Sequence, residues 1–303
     1  MGSTMVQLVT ECTQELGIPT PSTVAGNNSQ DIVQLLALMN ACGYELLRRA
    51  DWRELTRQHT FYTEATTTTG TWVSGVATIT GLASTAGLST SYQVQGVGIP
   101  NATYITAVGP TTVTLNYQPT ESVVDGQVLF QKVKYDLPAD YVSTVNRTHW
   151  DKSKRWEMLG PESPQQWEWL LSGYISTGPR IRWRLLGKYF QIWPGMNAGE
   201  LLGFEYRSAA WAYDSAGTPK NSFTADSDTC IYPDRLVVLG TKLKYFEAKG
   251  FDTTALYRDY LMEFETAVAQ DTAAANLSFA PRPGTVLIGY DNIPDSGYGT
   301  DSQ

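Results

Sequence analysis

Between residues 66 and 131 the chain carries no lysine and no arginine, and only Glu121 and Asp125 are acidic. Fifteen of these positions are threonine. Short β-branched runs alternate there with glycine, at 76–80, 92–94, 104–106, 112–115 and 128–130. Evenly spaced short strands with turn residues between them specify a small all-β unit, a sandwich or a barrel. Threonine suits strands on its own account, and a surface this poor in charge also favours contact with other subunits. The unit, taken as 64–134, interrupts a chain that reads as helical on both sides.

In the preceding part, 1–63, Met5, Leu8, Val9, Cys12 and Leu16 recur at the helical period, and Gly17 with Pro19 stops the helix. A loop rich in Pro, Ser, Gly and Asn leads to Ser29, a capping residue with Asp31 in the turn behind it. Ile32, Leu35, Leu36, Met39 and Leu46 then line one face of a helix ending near Ala50.

In the following part, 135–278, Ser163-Pro164-Gln165-Gln166 forms a capping box with proline at the first helical position. Trp167, Leu170, Leu171 and Tyr174 share the face behind it. Arg180, Arg182 and Arg184 alternate with Ile181, Trp183 and Leu185, Gly187-Lys188 turns the chain, and 189–193 returns. Leu202, Phe204 and Tyr206 alternate in a third strand. Helices over 233–249, ended by Gly250, and 252–276 close the segment, the second with Leu256, Tyr260, Leu261, Phe264 and Val268 as its apolar stripe. The expected fold class is α+β: a helical bundle with a β-hairpin or small sheet, an inserted all-β domain and an extended C-terminal tail.

That tail, 279–303, has no period and is broken by Pro281, Pro283 and Pro294. It nevertheless carries Phe279 and an apolar group, Val286, Leu287, Ile288 and Tyr290. A free tail has little use for such a group, whereas a tail that docks on a neighbour needs one. Phe279, Pro281, Val286, Leu287, Ile288 and Tyr290 are therefore the expected contacts to a partner.

Composition narrows the function. Only 17% of the residues are charged, below the usual quarter, while 9 Trp and 17 Tyr give the balance of subunit interfaces or of a large aromatic core. A net charge of −8 argues against a sequence-specific DNA binder, which carries a basic balance. Three scattered cysteines make neither a disulfide framework nor a zinc site, and no cofactor is expected. The N-terminus lacks a signal peptide's basic and apolar regions, and no run approaches 18 apolar residues. The expectation is a protein made in a reducing cytoplasm with no membrane partner.

Catalytic signatures are missing: there is no HExxH, GxSxG or P-loop, and Gly96-Val97-Gly98 neither opens a helix nor has a third glycine. His59 and His149 stand without an accompanying Ser or Cys motif. Glu157, Glu162 and Glu168 are close in sequence and could pair as in a glycosidase, or be solvated surface charges. Alternation places Arg180, Arg182 and Arg184 on one strand face, where they either meet an acidic partner or DNA phosphates or form a solvated face.

Several segments in series resemble a known family. Leu8-Val9-Thr10-Glu11 through Leu16-Gly17-Ile18-Pro19 precedes Gln34-Leu35-Leu36-Ala37-Leu38-Met39-Asn40 and Gly43-Tyr44-Glu45-Leu46. Then come Arg49-Ala50-Asp51-Trp52-Arg53-Glu54-Leu55-Thr56, Trp150-Asp151, Leu159-Gly160-Pro161 and Pro164-Gln165-Gln166-Trp167. Phe204-Glu205-Tyr206, Phe223-Thr224-Ala225-Asp226-Ser227-Asp228 and the 243–250 helix complete the series. Together they resemble the head-to-tail adaptor (head completion) proteins of tailed phages, above all podoviruses. The all-β unit is then an insertion, similar to small β-modules of phage structural proteins.

The resemblance implies a non-enzymatic virion protein at the head–tail junction, assembled in the bacterial host cytoplasm. It implies a ring with itself, usually of twelve copies, bound under the portal protein. Its further partners would be tail hub, nozzle or tail fibre proteins, with genomic DNA passing through without sequence-specific binding. The competing expectations are a tail-tube, nozzle or fibre-binding protein and, in another class, a cell-wall hydrolase.

Overall fold

The computed structural model describes residues 2–172 and 181–272. The fold class is α+β. Helices α1 (Met5–Leu16), α2 (Gln30–Arg49), α4 (Asp234–Lys249) and α5 (Thr254–Thr272) pack around one core; α3 (Pro164–Leu171) lies apart from it. Met5, Leu8, Val9 and Cys12 of α1 and Leu35, Met39, Cys42 and Leu46 of α2 are buried there, as their period requires. Two glycines set how closely these helices approach. A Cβ on Gly43 would lie 2.3 Å from the Trp211 indole, and one on Gly240 would lie 2.4 Å from Cys42 Sγ. Glu15 of α1 accepts hydrogen bonds from Arg235 and Lys242 of α4, and Glu45 of α2 from Lys244, which ties the helix exteriors together.

Four antiparallel sheets complete the chain. The first joins β1 (Thr56–Tyr62), β14 (Leu201–Ser208), β10 (Trp150–Asp151) and β11 (Trp156–Glu157), with β9 (Tyr141–Thr144) also on β14. Strand β1 was not expected from the sequence, and it pairs along its whole length with β14, from Thr56↔Arg207 to Tyr62↔Leu201. The second sheet holds the expected hairpin, β12 (Arg182–Leu186) and β13 (Tyr189–Trp193), with β8 (Lys134–Asp136) on its far side. The alternating strand at 202–206 is thus present, but as the centre of the first sheet and not the third strand of the hairpin. After Trp193 the chain leaves through Pro194 and Gly195, and Gly195 packs so tightly on Gln131 that a Cβ would meet its Oε1 at 2.7 Å. A small sheet of β15 (Ala212–Tyr213), β16 (Pro219–Lys220) and β17 (Thr229–Cys230) leads into α4.

The fourth sheet is the threonine-rich segment. Its strands are β2 (Ala65–Trp72), β3 (Thr78–Thr80), β4 (Tyr92–Gly96), β5 (Ile105–Val108), β6 (Val113–Leu115) and β7 (Val123–Lys132), in the order β4-β7-β2-β3-β6-β5. The bridge Gln93↔Tyr104 and the bond from Val94 N–H to the Thr103 carbonyl, 2.8 Å, bring the two ends of the sheet together as a small barrel. Its core is its own: Trp72, Ile79, Leu82, Tyr92, Val94, Val113, Val128 and Phe130 are buried in it. It also contacts the rest of the chain, since Ala102 and Tyr104 pack on Trp167 and Leu170 of α3 and on Trp193. Helix α3 begins at the expected capping box, where Ser163 Oγ accepts from Gln166 N–H at 3.2 Å.

Candidate functional site

The residues considered for catalysis are structural in their settings. His149 is buried and lies flat on Trp183, ring centroids 3.7 Å apart and planes 17° apart. The stack continues through Phe190 and Phe204, so one imidazole cements the first sheet to the second. Its Nε2 is 2.8 Å from Thr144 Oγ1, and burial pushes its pKa down to about 4. A ring kept neutral and sandwiched between aromatic faces has no access to a substrate. His59, half-buried against Phe61 and Phe204, is likewise lowered by burial.

The three glutamates have different settings. Glu162 accepts from Arg182 Nη1 at 2.7 Å, Glu157 lies in β11, and Glu168 lies on α3 beside the barrel. The cysteines are free and buried, their thiols pushed up to about 12 chiefly by burial. Among the described residues no three His, Cys, Asp or Glu side chains stand close enough to hold a metal ion.

The expected arginine row resolves differently. Arg180 lies outside the described residues. Arg182 is engaged by Glu162, and Arg184 lies over the Trp167 ring at 4.5 Å with its Nε donating to Gln191 Oε1 at 3.0 Å. Both guanidiniums are thus spent on α3 and its approach. The tail contacts Phe279, Pro281, Val286, Leu287, Ile288 and Tyr290 also lie outside the described residues.

The motif at 223–228 is a clamp. Buried Asp228 accepts from Lys220 Nζ at 2.6 Å and from the Thr224 and Ala225 N–H groups at 2.7 and 2.8 Å. Burial alone would raise its pKa, but these donors outweigh it and hold the carboxyl below its usual range. Asp226 accepts from the Val24 and Ala25 N–H groups, and the Asn40 side chain bonds Phe223 N–H at 2.8 Å. Three parts of the helical core meet at this loop.

A further cleft joins residues that are far apart in the sequence. Gln58 of β1, Trp150 and Asp151 of β10 and Glu205 of β14 line it together with Arg147, Lys152 and Arg155, around a volume of about 440 Å³. The signal was local: residues 147–156 hold Arg147, Lys152, Lys154 and Arg155 against Asp151 alone, with Trp150 and Trp156 between them. Asp151 also lines the cleft but is buried, its Oδ1 accepting from Lys154 N–H at 2.9 Å. Lys154 Nζ is paired with Glu200 at 3.1 Å, whereas the side chains of Arg147, Lys152 and Arg155 have no ion pair or hydrogen bond among the described residues.

The barrel also exposes apolar side chains: Val73, Val76, Val97, Val108 and Val124 stand in solvent, Val97 at 61% and Val124 at 78% exposure, and Tyr117 is exposed where the barrel faces α3. Neither a protein-family model nor a curated protein matches the chain. Among the described residues no helix is long and apolar enough to cross a membrane.

Proposed function

We propose that this chain is a structural subunit of a virion: a head-to-tail adaptor that joins copies of itself in a ring between portal and tail, with no enzymatic activity of its own. The observation that carries the reading is the barrel surface. A segment of 66 residues without a basic side chain, displaying valines to water, is a surface prepared for burial against neighbouring subunits. A closed ring is heterologous, so each subunit needs two different contact faces. The barrel supplies one, and the exposed edge of the helical core, where Tyr44, Arg48 and Lys244 line a shallow groove, supplies the other. The tail, with Val286, Leu287, Ile288 and Tyr290, is the proposed attachment to portal. Its 24 residues from 280 onward span at most roughly 80 Å.

The test uses charge on the exposed barrel. The double variant Val97→Lys, Val124→Lys is expected to keep the parent's melting temperature, because both side chains are in solvent. It is also expected to lose co-sedimentation with cognate portal rings under conditions where the parent pellets. A variant that pellets as well as the parent removes the barrel from the assembly and with it the support for this reading.

A further inference from the structure

We infer that the cleft between β1, β10 and β14 binds the sugar–phosphate backbone of DNA through Arg147, Lys152 and Arg155. The inference rests on the proposed function only in supplying DNA as the polyanion within reach. The geometry argues for an anion by itself. Three cations converge on one concave volume without partners, in a chain whose net charge is −8. Two acids share the lining, Glu205, which is partly exposed, and Asp151, which is buried and accepts from Lys154 N–H, so the three cations outnumber them.

The backbone says more. Arg147 and Arg155 both adopt left-handed conformations, φ +63° and +59°. Glycine occupies such positions without strain, and asparagine and aspartate do so more readily than a long side chain. The two turns would thus form more easily with glycine, yet each carries an arginine, and both arginines line the same cleft. Local folding gives no reason for arginine there, whereas a phosphate ligand does, because a guanidinium grips phosphate oxygens through paired N–H donors. Trp150, partly exposed on the same lining, adds an aromatic face of the kind that accompanies cations in nucleic-acid grooves. The contacts reach phosphates and no base edge, so the binding is indifferent to sequence.

The decisive variant is Arg147→Gly, Arg155→Gly in the full chain. Fluorescence anisotropy with a labelled 20-base-pair duplex over a salt series reads binding, and thermal melting reads the fold. The parent is expected to bind in a salt-dependent way. The variant is expected to bind at least about tenfold more weakly at low salt, with the slope of log K against log salt reduced by about two. Its melting temperature is expected to equal or exceed the parent's, because glycine relieves both turns. Arg147→Lys, Arg155→Lys is expected to recover most of the salt slope. Unchanged DNA binding in the glycine variant overturns the proposal. A parent that binds polyglutamate and not DNA overturns it too, and so does a glycine variant that melts well below the parent. Co-sedimentation with portal is scored separately, so failure of the adaptor reading and failure of the DNA cleft give different results.

Discussion

At the scale of single residues, acid conditions set the imidazole of His149 against its own stack. Its folded pKa, about 4, lies below the ordinary 6.5, so between those values the unfolded chain binds a proton that the folded chain refuses. The stability from a neutral His149 is complete above pH 6.5 and is lost as the pH falls toward 4. Between pH 7 and 5 the loss is about 2 kcal/mol. His59 is lowered as well, so the test is a difference: urea unfolding of the parent and of His149→Phe at both pH values. The variant keeps the stacking and is expected to lose about 2 kcal/mol less on acidification. Equal losses in both proteins would mean that His149 takes no part. Gly43 makes the second residue-scale case. Alanine there gains about 1 kcal/mol of helix propensity, but its Cβ would sit 2.3 Å from the Trp211 ring. Overpacking costs about 1–3 kcal/mol, and Trp211 is also packed against Phe223 and Tyr232. Gly43→Ala is therefore expected to lower the melting temperature. An increase would show that the ring has room to move.

At the scale of elements, the barrel has its own core but also covers part of the remainder. Excising 65–131 leaves the α1, α2, α4 and α5 core untouched, since none of its buried members comes from the barrel. It also removes Ala102 and Tyr104 from Trp167 and Trp193. The excised protein is expected to keep helical circular dichroism while its tryptophan emission shifts to the red. Loss of the helical signal would make the barrel integral to the whole fold. The elements differ in how far the sequence reveals them, for a physical reason. The helices announce themselves through local period and caps, as at Ser163 and Gly250, and the barrel through even spacing and turns. Strand β1 does not, because its partner β14 lies about 145 residues on and nothing local fixes that pairing. The same distance hid the cleft, whose Gln58, Arg147 and Glu205 meet only after β14 has docked on β1. The arginine alternation was legible as a strand, but its tertiary partner Glu162, reached across the α3 approach, was not. A row that looked available from its spacing is thus largely engaged.

At the scale of the whole molecule, charge is unevenly placed. The barrel is almost uncharged, the helical exteriors are tied by ion pairs such as Glu15 with Arg235 and Lys242, and unpaired cations gather at one cleft. Such a division suits the proposed adaptor, which would bury one surface against its neighbours and offer another to DNA. Weak contacts become firm when many act together, so a tail that holds poorly in one copy holds well in a ring. Truncation after Ala280 is expected to leave the melting temperature unchanged and to abolish co-sedimentation with portal; full retention would transfer the attachment to the helical faces. The proposed ring between portal and tail is the central claim. The most direct measurement is therefore electron-microscopic averaging of the full chain mixed with its portal rings, without imposed symmetry. The account predicts a single added layer of twelve copies, with barrels in contact from one subunit to the next. Portal rings that stay bare, or copies attached singly without touching one another, would contradict it.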